Sequence, residues 1–336
     1  MAFALTSCVY SPPIGGPPNG SPPAIQLGLF ARGPAVVTHR GGVIVEPYFS
    51  MRALLLAAEE GFPSAPLAQA LVDWLAAYQR PDGTLPRLCL SGDEWRDCGN
   101  ADADDASLAT WLELSGKLAV RAHLGGSRAA AARHLAELRR ADGLYRISKT
   151  SDVALLMDNL EVWAAMGALA AEALDSGDTE IARQWAESGT SLAGAIMKEF
   201  WDAGKREFTV SSQGYTGGAF YPHGVAQIYP LLFGFDAHTR DPAASLDTWL
   251  TGHGAAWLSM EADSYPWGVL AIIAARFGRT DAAGCWMQRA QHLRYSPRWS
   301  VLDEVALQVL EIKLRPSATD CSLAARPRAG ADSTGP

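Results

Sequence analysis

Three short turns, 60 residues apart, constrain this chain more than any other feature. Arg80-Pro81-Asp82-Gly83, Arg140-Ala141-Asp142-Gly143 and Trp201-Asp202-Ala203-Gly204 set aspartates at 82, 142 and 202. An aspartate side chain holds its own backbone in a turn, and glycine takes the left-handed conformation that other residues resist. Each turn closes a run of helix-forming residues, and 60 residues accommodate two helices with their connections.

The runs between the turns carry helical periods. Leu71, Leu75 and Tyr78 lie three to four apart beside Val72 and Trp74. Leu155, Leu160, Val162, Trp163 and Met166 form a second apolar face, and Ile181, Trp185, Leu192, Ile196 and Phe200 a third. Such stripes bury against neighbouring helices. The pattern predicts helices over 47–60 and 66–79, one from about 102, and one ending near 140. Further helices are predicted over 155–174 and 179–200, from about 223, 242, 265 and 281, and over 302–312. An irregular one is expected near 249–257, and strand signals are sparse. Eleven helices come close to six hairpins. Short connections pack them antiparallel, and a ring removes the exposed ends that an open solenoid must cap. The expectation is an all-α fold, an (α/α)6 toroid of helical hairpins, over an open solenoid.

With 336 residues and 48% hydrophobic content the chain can bury a large core. The body is expected over 41–314, after a Pro/Gly-rich segment over 1–40 and before a tail over 315–336. Ile25, Leu27, Leu29 and Phe30 are the residues by which the first segment would dock. A formal charge of −8 without a Lys/Arg tract disfavours nucleic acid. No apolar run is long enough to cross a bilayer, and no ordinary signal peptide is visible, so a cytoplasmic protein is expected. The five cysteines are scattered, which argues against a disulfide scaffold, Cys89 and Cys98 being the one close pair. The sequence calls for no cofactor and no metal, since it has no C-x-x-C or H-E-x-x-H.

Chemistry in such a ring is expected where loops enter the helices at one end. Glu46-Pro47-Tyr48 opens the first helix, with Pro47 suited to its first position. Flanking apolar residues would desolvate Glu46 and raise its pKa, as a general acid needs, although a helix N-terminus favours an acidic residue in any case. Asp102, Asp104 and Asp105 crowd the next odd helix. Capping explains one aspartate well and three less well, and a carboxylate accepts sugar hydroxyls. Asp158, Asn159 and Glu161 interrupt an apolar helix, where hydrogen bonding between helices is the plainer role. His223 and Tyr221 precede another helix, and Asp263 and Trp267 flank a further mouth, where Asp263 is a base or an N-cap. Trp95, Trp111, Trp201, Trp257, Trp267 and Trp299, with Tyr48, Tyr145, Tyr215, Tyr221 and Tyr265, would cover the apolar faces of sugars or fill space between helices.

Together the rhythm and the polar helix mouths resemble the six-hairpin glycosidase superfamily, whose members have an (α/α)6 barrel. Within it, Glu46 with Tyr48, then Asp82-Gly83, then Asp102-Ala103-Asp104 resemble the first third of glycoside hydrolase family 8. That resemblance implies Glu46 as proton donor, with Asp102 or Asp104 holding the sugar at the cleavage point. The chain departs from that family in having Pro47 directly after the glutamate, and Asp263 is the candidate base by position alone.

The expected activity is inverting hydrolysis of an oligo- or polysaccharide, possibly β-linked, with acid and base roughly 6.5–9.5 Å apart. Glu46 is the expected acid, Asp263 the base and Asp104 the fallback base. Asp102, Tyr48, Trp95, Asp158, Tyr221, His223 and Trp267 are expected to bind the sugar. The same barrel also hosts epimerases, which need paired bases, and uronate lyases, for which Arg52 and Arg87 are the cations available. A non-catalytic glycan-binding protein is the remaining alternative.

Overall fold

A computed structural model describes residues 14, 24–62, 65–117, 122–214, 218–237, 239, 241–314 and 321. Ten α-helices are present among them: α1 (Pro47–Glu59), α2 (Ala65–Tyr78), α3 (Asp104–Gly116), α4 (Gly125–Leu138) and α5 (Leu156–Asp175), then α6 (Thr179–Phe200), α7 (Pro242–Leu258), α8 (Gly268–Arg276), α9 (Thr280–Ala290) and α10 (Val301–Lys313). Between α6 and α7 lie a π-helical turn, Phe220–Gly224, and a 3-10 turn, Tyr229–Phe233.

These elements close into a ring. α1 packs on α3, α3 on α5, α5 on the Tyr229–Phe233 turn, that turn on α8, α8 on α10, and α10 back on α1. The inner elements are apolar nearly all round, as enclosure requires: all nine residues of α8 are buried. Outer helices bury one stripe, as α6 does with Ala182, Gly189, Leu192, Ile196 and Phe200, while Ile181 at its start is exposed. The all-α toroid expected from the sequence is therefore present, with paired helices in two layers.

The 60-residue turns do what their composition demands. Asp82 Oδ1 accepts from Thr84 N at 3.0 Å, and Arg80 N donates to Thr84 O. Asp142 repeats this with Leu144 N at 3.1 Å and Arg140 N. Gly83 and Gly143 take φ of 96° and 92°. The third turn differs: Asp202 binds the amides of Gly204 and Lys205, and Arg206 is left-handed.

Three expectations change. The irregular element is not 249–257, which lies in the regular α7. It is the fourth inner position, expected as a helix from 223, where Pro222, Gly224 and Pro230 fall close together and break the helical hydrogen-bond ladder. Second, a hairpin stands between α2 and α3. Its strands β4 (Pro86–Ser91) and β5 (Glu94–Asn100) join β3 (Ile44–Val45) in an antiparallel sheet. The remaining strands are two-residue pairs: β1 (Ala31–Arg32) with β2 (Ala35–Val36), and β6 (Trp201–Asp202) with β7 (Glu207–Phe208). Third, the cysteines pair. Cys89 bonds Cys98 across the hairpin, and Cys285 of α9 bonds Cys321.

Residues from 24 onward belong to the body rather than to a tail. Ile25, Leu27 and Phe30 are buried in the core while Leu29 is half exposed, and Thr38 O accepts from Val301 N at the head of α10. Most of 1–23 and 315–336 lies outside the described residues. No helix among the described residues is long and apolar enough to cross a membrane.

Gly83 and Gly143 separate conformation from packing. A Cβ on Gly83 would sit 2.4 Å from Ala130 O of α4, whereas one on Gly143 meets Ala195 Cβ at an ordinary 3.5 Å. Gly143→Ala should cost roughly 1–3 kcal/mol for the backbone conformation alone. Gly83→Ala should cost a further ~1–3 kcal/mol because backbone must move. Urea unfolding of both variants measures the difference, and equal losses would refute the close approach.

Candidate functional site

The loops that enter the six inner elements meet at one end of the ring. There they enclose a cavity of about 120 Å³. Tyr48 and Phe49 come from α1, Asp102 and Ser107 from the head of α3, and Asp158 and Glu161 from α5. Tyr221 and Tyr229 come from the fourth inner element, Trp267 from α8, and Asp303 from α10. Among the described residues, no Lys, Arg or His lines it.

Helix geometry aligns the acids. Asp158 and Glu161 are three apart on α5, so both point from one face. Glu161 is 5% exposed, and its Oε1 accepts from Tyr48 Oη at 2.5 Å and Tyr229 Oη at 2.8 Å. The two phenol oxygens lie 3.1 Å apart. Asp105, fully buried behind the wall, accepts from Ala106 N at 2.9 Å through Oδ1. Asp105 Oδ2, Asp158 Oδ2 and Glu161 Oε2 are all buried without a hydrogen-bond partner.

Burial is the main force on these groups. It pushes Asp105 up to about 8, with the charge of Glu161 adding to the rise. It raises Glu161 to about 7, against the phenol hydrogen bonds that favour its charged form. Asp158 rises well above the usual carboxylate range through burial and then the charges of Asp105, Glu161 and Asp102. Desolvation penalises the ionised carboxyl, and like charges at short range cannot all ionise. Asp303 also lines the cavity, but its oxygens are taken: Oδ1 by Gly268 N, Oδ2 by Ser300 N and Oγ in a capping box.

An aromatic platform stands over the acids. Tyr221 stacks on Trp267 with ring centroids 4.8 Å apart and planes at 29°. Trp267 takes a left-handed φ of 56° at the head of α8, and its Nε1 donates to Asp263 Oδ2 at 2.6 Å. Burial, then Asp158, Asp102, Asp263 and Glu161, hold the Tyr221 phenol up at about 12. A polar group that feels four carboxylates marks where they converge.

Several solved structures share this architecture. An α-amylase from Clostridium perfringens is 10% identical with a TM-score of 0.55, over 85% of this chain and 95% of its own. A GH63 mannosylglycerate hydrolase from Thermus thermophilus, solved with glucose, is 15% identical with a TM-score of 0.54, over 85% and 97%. A rhamnosidase from Klebsiella oxytoca, solved with rhamnose bound, is 12% identical with a TM-score of 0.56, over 80% of this chain and 58% of its own. The chain has the six-hairpin glycosidase fold. No protein-family model matches it, and no curated protein sequence does. At these identities the likeness shows the fold alone.

Within the six-hairpin glycosidase fold, the residues singled out in the sequence divide. Asp102, Tyr48, Asp158, Tyr221 and Trp267 line the cavity. Glu46 is beside it and 5% exposed but already bonded: Oε2 accepts from Arg87 Nε at 2.7 Å and Oε1 from Asp102 N at 3.1 Å. Burial still raises its pKa. Asp263 stands behind Trp267 rather than in the wall. Asp104 turns to the outer layer, with Oδ2 3.9 Å from His134 Nε2 of α4. Trp95 packs edge-on against Trp74 of α2 at 5.6 Å. His223 follows Tyr221 in the π turn and does not line the cavity. Trp111, Trp257 and Trp299 are core, Tyr145 is buried, and Tyr215 lies outside the described residues. Sequence reasoning gave Glu161 only a bridging role and passed over Tyr229; the i, i+3 spacing of Asp158 and Glu161 was the signal for the first, and nothing local marks the second.

A larger cavity of about 460 Å³ opens at the opposite end, where α1, α3 and α5 finish. Three of its carboxylates are already paired: Glu59 with Arg52 at 2.7 Å, Glu113 with Lys117 at 2.6 Å and Glu172 with Arg128 at 2.7 Å. The partnerless acids belong to the smaller cavity.

The raised Asp105 fixes a sign. Its folded form keeps a proton that the unfolded chain releases near pH 4. Its contribution to stability is thus complete at low pH and lost as pH rises toward about 8. Asp105→Asn should flatten the fall in melting temperature between about pH 5 and pH 8. An unchanged slope in calorimetric scans would contradict the assignment.

Proposed function

We propose that the protein is a glycoside hydrolase acting on a neutral oligo- or polysaccharide, with Asp158 as proton donor and Asp102 as base. The observation that carries this reading is a cavity lined by Asp102, Asp158 and Glu161 beneath a Tyr221–Trp267 platform, with no cation among the described lining residues. Aromatic faces take the C–H surface of a sugar, and carboxyls take its hydroxyls. The three carbohydrate-acting proteins of the same fold agree with this class.

Asp158 suits the acid role. Its Oδ2 is buried and partnerless, and burial with the neighbouring acids raises its pKa, which favours the protonated form a general acid needs. In the reaction, Asp158 gives its proton to the glycosidic oxygen as the C–O bond breaks. Water adds to the anomeric carbon and loses a proton to Asp102, which is exposed at the cavity rim. Both carboxyls regain their starting states by exchange with solvent.

This revises the acid assignment that the family 8 likeness implied. Both oxygens of Glu46 are occupied, one of them by the Asp102 amide, so Glu46 serves to position Asp102. Among the described lining residues the groups that the rival chemistries need are not found. A uronate lyase needs cations there, but Arg52 is buried against Glu59 and Arg87 is paired with Glu46. An epimerase with histidine bases finds none in the lining. The two disulfides favour an oxidising compartment over the cytoplasmic placement expected from the sequence.

Screening neutral glycans with purified protein tests the reading. Asp158→Asn should lower kcat by about 10²–10⁴ with sugar binding kept, the range that acid catalysis contributes. Glu46→Gln should lower it about tenfold or less, through the lost hold on Asp102. Turnover should fall on the alkaline side as Asp158 deprotonates. Wild-type turnover in Asp158→Asn would refute the acid role; loss in Asp263→Asn but not Asp102→Asn would move the base to Asp263.

A further inference from the structure

We propose that Glu161 is the specificity-determining residue at the floor of the cavity, where its Oε2 accepts a sugar hydroxyl while Tyr48 and Tyr229 hold its Oε1. The inference rests on the hydrolase reading for its ligand class and goes beyond it in assigning how one end of the sugar is read.

The two oxygens of Glu161 are treated very differently. Oε1 receives two phenol donors, from α1 and from the Tyr229–Phe233 turn, while the side chain itself comes from α5. Three inner elements thus fix the carboxyl plane before any ligand arrives. Oε2 is buried, partnerless and part of a residue that lines the cavity. A carboxyl serving only to join helices would have both oxygens satisfied, as Asp303 does in the same wall. Such exceptions call for a cause, and Glu161, unlike the equally partnerless Asp105, lines the cavity through which a ligand can reach it.

The two phenols donate to Oε1 and favour the carboxylate form, in which Oε2 is an acceptor whose missing partner is a donor. Among groups carried by neutral glycans, the hydroxyl is that donor. No Lys, Arg or His in the lining competes for Oε2, and an anionic substituent would face Asp102, Asp158 and Glu161 together. Arg52, one turn along α1 from Tyr48, is buried, lies 5.0 Å over the Phe233 ring and pairs with Glu59 at 2.7 Å, so a charged side chain stands between Glu161 and the other end. The group that reaches Glu161 is therefore the leading end of whatever enters, so Glu161 reads one hydroxyl of a terminal sugar.

Calorimetric titration of Asp158→Asn with free neutral hexoses and their monodeoxy derivatives isolates binding from turnover. One deoxy position should weaken binding about tenfold or more, the range for a hydrogen bond to a charged acceptor. Adding Glu161→Gln should shrink that one penalty to about threefold or less, with the other positions unmoved, which a purely structural role would not do. Deoxy penalties that are the same with and without Glu161 would overturn the assignment while leaving the hydrolase reading intact. No hexose binding to any variant, together with undiminished turnover in Asp158→Asn, would overturn both. Should Glu161→Gln fail to fold, the carboxyl carbon of Glu161 in the Asp158→Asn protein, assigned through Tyr229→Phe, gives a second measurement by NMR. Its signal should move on saturation with the hexose and not with the discriminated deoxyhexose; the same response to both would overturn the proposal.

Discussion

Closing six inner elements into one ring brings the heads of their helices together, and with them several of the acids placed there. Asp105 and Asp158 stand in the first turns of α3 and α5, and Glu161 one turn further on. Each is unexceptional on its own helix, because a helix N-terminus favours a negative charge. Brought together and removed from water, they raise one another's pKa and leave three oxygens without partners. The charged forms cannot all coexist there without donors, so ring closure raises the pKa of acids that stand near helix starts.

At the other end of the bore the same problem is solved by pairing. Glu59 and Glu60, buried where α1 finishes, meet Arg52, Arg276 and Lys313. Burial pushes Glu59 up, but Arg52 and Arg276 more than offset it and hold its pKa below the ordinary value. Arg276 of α8 and Lys313 of α10 thereby tie their helices to the end of α1, next to the seam where the ring closes. One end thus has its carboxylates matched to cations and the other leaves them unmatched, which gives the barrel a structural end and a chemical end.

The periodic parts of the fold were legible because they are local. Asp82-Gly83 and Asp142-Gly143 specify their turns through bonds spanning two residues, and Thr179–Phe200 carries its stripe in its own spacing. Harder to read were features whose partners are distant. The hairpin of β4 and β5 was missed because Leu88, Cys89 and Leu90 form a short run that becomes a strand only by pairing with β3 and across the turn. The cysteines looked scattered because 285 and 321 are 36 residues apart and meet only in space. Trp111, Trp257 and Trp299 read as a sugar-binding wall, but ring closure buries them, and the aromatic residues of the wall are Tyr48, Phe49, Tyr221, Tyr229, Tyr265 and Trp267.

By itself, the sequence determined the helices, the rhythm of their turns and the end of the ring at which acids would gather, since each depends on neighbours within a few residues. Tertiary structure alone decided which acids share the cavity. Whether Asp104 faces His134 or the bore, whether Glu46 is spare or held by Arg87, and whether Glu161 meets Tyr229 across 68 positions depend on helix rotation and closure. Local spacing fixes the face a residue occupies on its own helix, but not what that face meets, and protonation follows from what it meets.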